Sequence, residues 1–288
     1  MIARLAAVAL CWLLAACAAT GPDSIVTTAG DGSEERIPGS VLKPEGTGPF
    51  PAVVMLHDCS GLGPSSSGAP GRWARELQAH GYVVVVPDSF TPRGFPNGVC
   101  TDSSRGPRVA PAQRARDAYA ALAYLRTLAY VDGGRVGLMG GSHGGSTTLL
   151  AMLPPRGAAA GRPGFAAAVA LYPGCATAAG KLIGDSSGEY RSLAPLLILV
   201  GEADDWTPAE PCRRLADAAQ KAGYPVAIKV YPGAYHSFDS SNPPRYVAAR
   251  INVNSPTGRG ATTGGNPAAW ADSIREVLAF FGRHLAPR

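Results

Sequence analysis

Six short runs along the chain are almost wholly apolar: 52–56, 82–86, 136–139, 166–172, 196–200 and 226–231, with Lys229 the one charged interruption. Continuous apolar runs of this length predict strands buried on both faces, as in a parallel sheet. Between them the spacing changes to that of helices. Trp73 and Leu77 share a face in 72–80, and Gly81 follows as a stop. In 112–129, Ala115, Ala118, Tyr119, Leu122 and Leu125 recur at helical intervals. Further helices are expected at 143–153, 210–222 and 270–285. Strands alternating with helices predict an α/β architecture: a mostly parallel, doubly wound sheet with helices on both faces. No repeat or linker divides the core, so 36–288 is read as a single domain. Residues 64–71 and 92–111 read as loops. Residues 239–268, rich in Pro, Gly and Asn, follow the last strand. A stretch that long is expected to be a binding loop or disordered.

The first residues follow another rule. Arg4 precedes an apolar run from Leu5 to Leu13, too short for a stable span. Leu14-Ala15-Ala16-Cys17 then resembles a bacterial lipobox. On that reading residues 1–16 are a lipoprotein-type signal peptide, Cys17 is lipidated, and 17–35 is a flexible tether. An ordinary signal peptide cut nearby is the alternative. The expected location is the bacterial cell envelope. Ala18, in place of an aspartate after the cysteine, favours the outer membrane, with lipid at Cys17 as the membrane contact.

With 46% hydrophobic and 16% charged residues, the 288-residue chain has material for a large core and no signature of disorder. The +5 formal charge comes without a Lys/Arg-rich run or interleaved aromatics, so nucleic acid is not an expected partner.

The chemistry concentrates where the third run ends. Gly140-Gly141-Ser142-His143-Gly144 joins a strand directly to a helix. This Gly-x-Ser-x-Gly turn resembles the nucleophile elbow of α/β-hydrolases. A serine hydroxyl needs a base, and the base needs an orienting acid. In that fold they follow in the order Ser, acid, His. Asp204 follows the next-to-last run, with Asp205 beside it as the other candidate, and His236 follows the last. Two aspartates capping the helix near Pro208 is the plainer reading of that pair. Of the other histidines, His57 is expected to shape its own loop, His80 to cap a helix end and His284 to lie at the surface. His143, next to the serine, is badly placed to reach back to it. The oxyanion hole is expected from the backbone N–H groups of His143 and Cys59.

Outside the targeting segment stand Cys59, Cys100, Cys175 and Cys212. Export makes disulfides possible, and four cysteines allow three pairings. The order of strands favours Cys59–Cys100 and Cys175–Cys212, with buried free thiols as the alternative. No spacing resembles a zinc site, no metal is expected, and no motif calls for a cofactor.

With these residues assembled, the chain resembles the dienelactone hydrolase family. The matching segments are 51–61, 81–88, the elbow, Gly201-Glu202-Ala203-Asp204 and Gly233-Ala234-Tyr235-His236-Ser237-Phe238, together covering roughly 38–285. The resemblance implies an α/β-hydrolase fold and hydrolysis of esters or lactones. There are departures. The family enzyme carries a cysteine nucleophile where this chain has Ser142, and a glutamate near its thiol where this chain has Asp58. Arg93 falls near an arginine that holds the substrate carboxylate in the family enzyme, so it is either a substrate-binding residue or a loop brace. The second arginine expected after the histidine is replaced by Asp239-Ser240.

The function expected is that of a serine hydrolase cleaving carboxylic esters or lactones through an acyl-enzyme, with Ser142, His236 and Asp204 as the triad. A peptidase or amidase of the same fold and a non-catalytic lipoprotein binding module are the alternatives. A dinucleotide-binding domain fails on glycine spacing. Nothing in the sequence sets the acyl group, the alcohol or the oligomeric state.

Overall fold

The computed structural model describes residues 23–101, 109–154, 164–176, 180–185 and 187–287. Cys17 and the signal segment therefore lie outside the described residues. The chain forms ten strands and five α-helices within them: β1 Asp23–Thr28, β2 Glu34–Leu42, β3 Phe50–Leu56, α1 Ala69–Ala79, β4 Val83–Pro87, α2 Pro111–Leu125, β5 Val131–Gly141, α3 His143–Ala151, β6 Ala167–Leu171, β7 Leu196–Gly201, α4 Ala209–Lys221, β8 Val226–Tyr231, β9 Arg245–Ile251, β10 Arg259–Thr263 and α5 Pro267–His284.

Eight strands make one sheet in the order β1-β2-β4-β3-β5-β6-β7-β8. From β4 to β8 every pairing is parallel, while β1–β2 and β2–β4 are antiparallel. Successive side chains of a strand point to opposite faces, which splits the core in two. Val54, Leu56, Leu138 and Ile198 pack with residues of α2, α3 and α4. Val53, Met55, Met139 and Leu199 pack on the other side with Trp73 and Leu77 of α1 and Val277 and Phe281 of α5. These inner strands are buried from end to end, which is why they read as continuous apolar runs.

Two expectations change. Residues 23–35, read as part of a tether, hold β1, the turn after it and the start of β2, so the sheet includes residues before 36. In β1, Ile25 and Thr27 face inward while Ser24, Val26 and Thr28 face solvent. A strand wet on one face and carrying so few apolar residues has the composition of a linker. Its contacts decide otherwise: Ile25 is buried, and the Thr27 hydroxyl donates to Asp117 of α2 at 3.0 Å. The 239–268 segment, for its part, contains the β9–β10 hairpin, paired from Arg245↔Thr263 to Ile251↔Arg259.

Candidate active site

Ser142, Asp204 and His236 each follow the C-terminal end of a parallel strand, where an open α/β sheet presents its crevice. Ser142 lies between β5 and α3 with φ 54° and ψ −116°, a conformation unfavourable to a side-chain-bearing residue. Crowding explains its glycines. A Cβ on Gly140 would stand 2.5 Å from the backbone of Gly144, and one on Gly144 would stand 2.5 Å from the Leu56 carbonyl oxygen. The turn itself is held by Ser142 N–H donating to Leu171 O at 2.9 Å.

His236 follows β8, and its Nε2 lies 2.9 Å from the Ser142 Oγ. Its Nδ1 lies 2.8 Å from Asp204 Oδ2. A carboxylate only accepts, so Nδ1 carries the proton and Nε2 presents its lone pair to the hydroxyl. Asp204 is fixed by its own loop: Oδ1 accepts from Trp206 N–H at 2.9 Å and Thr207 N–H at 2.8 Å. The Thr207 hydroxyl adds a 2.9 Å bond to Oδ2. Asp205 turns the other way and accepts from the N–H and hydroxyl of Thr262 on β10, at 2.8 and 2.9 Å. The imidazole lies between Trp206 at 4.7 Å and the edge of Tyr172 at 4.8 Å. Asp204 and His236 are buried, and Ser142 keeps 8% exposure at the floor of the cleft.

That cleft measures about 410 Å³, and its walls are mainly apolar, with Val99, Val109, Trp206 and Ile251 among them. Cys59 and His143 line it beside Ser142. Among the described residues, their backbone N–H groups meet no protein acceptor. Cys59 is bonded to Cys100, which shares the same wall, and Cys175 is bonded to Cys212 inside the core. Asp58, Cys59 and Cys100 form the one grouping of possible metal donors among the described residues. A disulfide leaves both sulfurs without thiolate character, so the grouping is no metal site.

Arg93 is a correction to the reading as a substrate-binding residue. Its Nε and Nη2 donate to Glu35, its Nη groups donate to both oxygens of Asp117, and Nη1 also donates to Ser89 O. A guanidinium has five N–H donors, and all are engaged. Arg93 braces β2 and α2, and it does not line the cleft. Asp58, in the place of the family's glutamate, accepts from Ser60 and Ser67. Asp239, in the place of the second arginine, is buried and accepts from the Tyr172 hydroxyl at 2.9 Å and Trp73 Nε1 at 2.8 Å. Burial raises its pKa from the ordinary value, against the Trp73 and Tyr172 hydrogen bonds that lower it. It thus supports the Tyr172 ring that stands against His236. His57 shapes its own loop: Nδ1 donates to Asp58 O at 2.8 Å, and Nε2 accepts from Ser89 N–H at 3.2 Å. Burial, with help from Arg114, holds its pKa well below the ordinary value.

Sequence reasoning missed Arg114, which is fully buried behind the elbow on α2. The one available signal was a charged residue on the helix face that also carries Ala118, Ala121 and Leu125.

Residues 37–285 match the model of the dienelactone hydrolase family. A Methylorubrum extorquens protein named "Putative carboxymethylenebutenolidase" is 29% identical over 225 residues, covering 74% of this chain and 71% of the relative. An Escherichia coli K12 protein of the same name is 28% identical over 214 residues, covering 70% and 72%. Among solved structures, Thermogutta terrifontis esterase 2 phosphorylated by paraoxon superposes with a TM-score of 0.62 at 20% identity, covering 93% of this chain and 96% of that one. The dienelactone hydrolase-like promiscuous phosphotriesterase P91 from metagenomic libraries gives 0.64 at 21%, covering 91% and 97%. At such identities the superpositions speak for the fold alone. The family match spans most of the chain: this protein belongs to the dienelactone hydrolase family and is a carboxylic ester hydrolase of α/β-hydrolase fold.

Proposed function

We propose that the chain hydrolyses carboxylic esters or lactones through an acyl-enzyme on Ser142. The unbroken hydrogen-bond chain from Asp204 through His236 to the Ser142 hydroxyl carries the reading. Ser142 Oγ attacks the carbonyl carbon and its proton passes to His236 Nε2. Asp204 holds the ring and stabilises the imidazolium. The N–H groups of Cys59 and His143 receive the developing oxyanion. Collapse breaks the bond to the alcohol, which takes the proton back from Nε2. Water then attacks the acyl group, gives its proton to His236, and releases the acid with Ser142 restored. The apolar walls and the engaged guanidinium of Arg93 favour an uncharged ester over a carboxylate-bearing lactone. Ser142→Ala is expected to lower kcat on an aryl acetate by at least about 10⁴-fold with the fold unchanged by circular dichroism. Undiminished turnover in that folded variant overturns the reading.

We also propose that the chain is exported and lipid-anchored at Cys17. The Leu-Ala-Ala-Cys motif supports this, as do two disulfides, which oxidising compartments preserve. Cys17→Ser is expected to move the protein from the membrane to the soluble fraction. Retention on the membrane contradicts the assignment.

A further inference from the structure

The two backbone donors of the proposed oxyanion hole come from separate loops, one after β3 and one at the start of α3. Something must fix their spacing, because a donor displaced by a fraction of an ångström loses most of its effect on the transition state. One buried side chain reaches both loops. Arg114 Nη2 donates to the His57 carbonyl at 2.6 Å, two residues before Cys59. Its Nη1 lies 2.8 Å from Nδ1 of His143, the residue that owns the other donor. The Phe90 ring packs against all three groups: the guanidinium at 4.9 Å, His57 at 4.6 Å and His143 at 5.5 Å. Arg114 is fully buried, and its Nε has no partner among the described residues.

The chemistry of this bridge has one polarity. A guanidinium has donors and no acceptor, so His143 Nδ1 must accept, and His143 is neutral with its proton on Nε2. Burial first, and the Arg114 charge second, push the His143 pKa down to about 3. Burial lowers Arg114 itself to about 10, which leaves it cationic at neutral pH, with Asp117 and Asp58 favouring that charge. A positive charge thus stands behind the two N–H groups, in a region where low dielectric strengthens its field.

We propose that Arg114 is a positioning residue for the oxyanion hole. It clamps the His57–Cys59 loop to His143 and adds positive potential where the tetrahedral intermediate becomes negative. This rests on Ser142 as nucleophile. Its effect belongs to the transition state, so it acts on kcat with little effect on KM.

The experiment measures kcat and KM for an aryl acetate, together with the rate of labelling by a fluorophosphonate, in Arg114→Met, Arg114→Lys, His143→Leu and the Arg114→Met/His143→Leu double variant. Losing one oxyanion donor costs about 10²–10³ in kcat, and a brace acting at one remove is expected to cost about 10–100-fold. Arg114→Met should show that loss with KM within about threefold, and labelling should be slowed but not abolished. Arg114→Lys should recover part of it through the retained charge. The double variant should cost much less than the product of the two single losses, because both remove one bridge. An unchanged kcat in folded Arg114→Met, a loss confined to KM, or independent single effects overturns the proposal. If Arg114→Met does not fold, His143→Leu decides alone, since it keeps the backbone donor and removes only the acceptor of the bridge: unchanged kcat there overturns the clamp. Failure of the triad reading looks different: ester turnover or fluorophosphonate labelling would then persist in Ser142→Ala, whatever Arg114 does.

Discussion

The two walls of the cleft are made of different materials. On the β7–β8 side the working groups are side chains, and their own short loops hold them: Asp204 accepts from two N–H groups two and three residues further along. On the β3–β5 side the proposed working groups are backbone N–H groups, and distant residues hold them. Arg114 reaches across from α2, and Cys100, which is 41 residues away from Cys59 in sequence, ties down the same loop. The β9–β10 hairpin joins the walls. Asp205 anchors it to one, with Thr262 as partner, and Ile251 N–H donates to Cys100 O at 3.1 Å on the other. A side chain with local support tolerates change elsewhere in the molecule. A backbone donor is only as well placed as the remote contacts that fix its loop.

The largest expected difference separates neighbours on the side-chain wall. Asp204→Asn keeps its amide oxygen on the Trp206 and Thr207 N–H groups and so turns an NH2 donor toward His236 Nδ1. The ring loses the facing charge and favours the wrong tautomer, and kcat is expected to fall by about 10⁴-fold. Asp205→Asn is expected to keep kcat within about tenfold and to raise KM, because it loosens the hairpin that carries Ile251. Steady-state kinetics of the two variants checks this, and a reversed order would assign the acid to Asp205.

A smaller difference separates the two disulfides. Their loops span 41 and 37 residues, so each is expected to restrict the unfolded chain by a similar amount, about 4 kcal/mol. Removing either pair to serine should therefore lower Tm comparably, by roughly 10 °C. Only Cys59→Ser/Cys100→Ser, on the backbone wall, should also lower kcat, by about tenfold, since it frees a loop that positions an oxyanion donor. Equal kcat in the two double variants, measured well below either Tm, would show that Arg114 holds that wall unaided.

The sequence carried the parallel sheet because strands buried on both faces cannot hide their composition, and it carried Ser142, Asp204 and His236 as candidates because the elbow fixes a chain order. It did not carry β1, whose Ile25 and Thr27 are legible as inward-facing only once Asp117 and the core stand beside them. Nor did it carry the hairpin within 239–268, where Val247-Ala248-Ala249 breaks any alternation in β9, β10 is short and mostly polar, and little periodic signal remains.

Local pattern by itself determined the order of elements and which side chains were available for catalysis. Tertiary structure decided which way each of two adjacent aspartates turns, that Arg93 is closed off by Glu35 and Asp117, and that Arg114 stands behind two loops. The reason is that an arginine's role depends on what it meets across space, and a charge, unlike an apolar periodicity, leaves no trace in sequence of the partner that receives it.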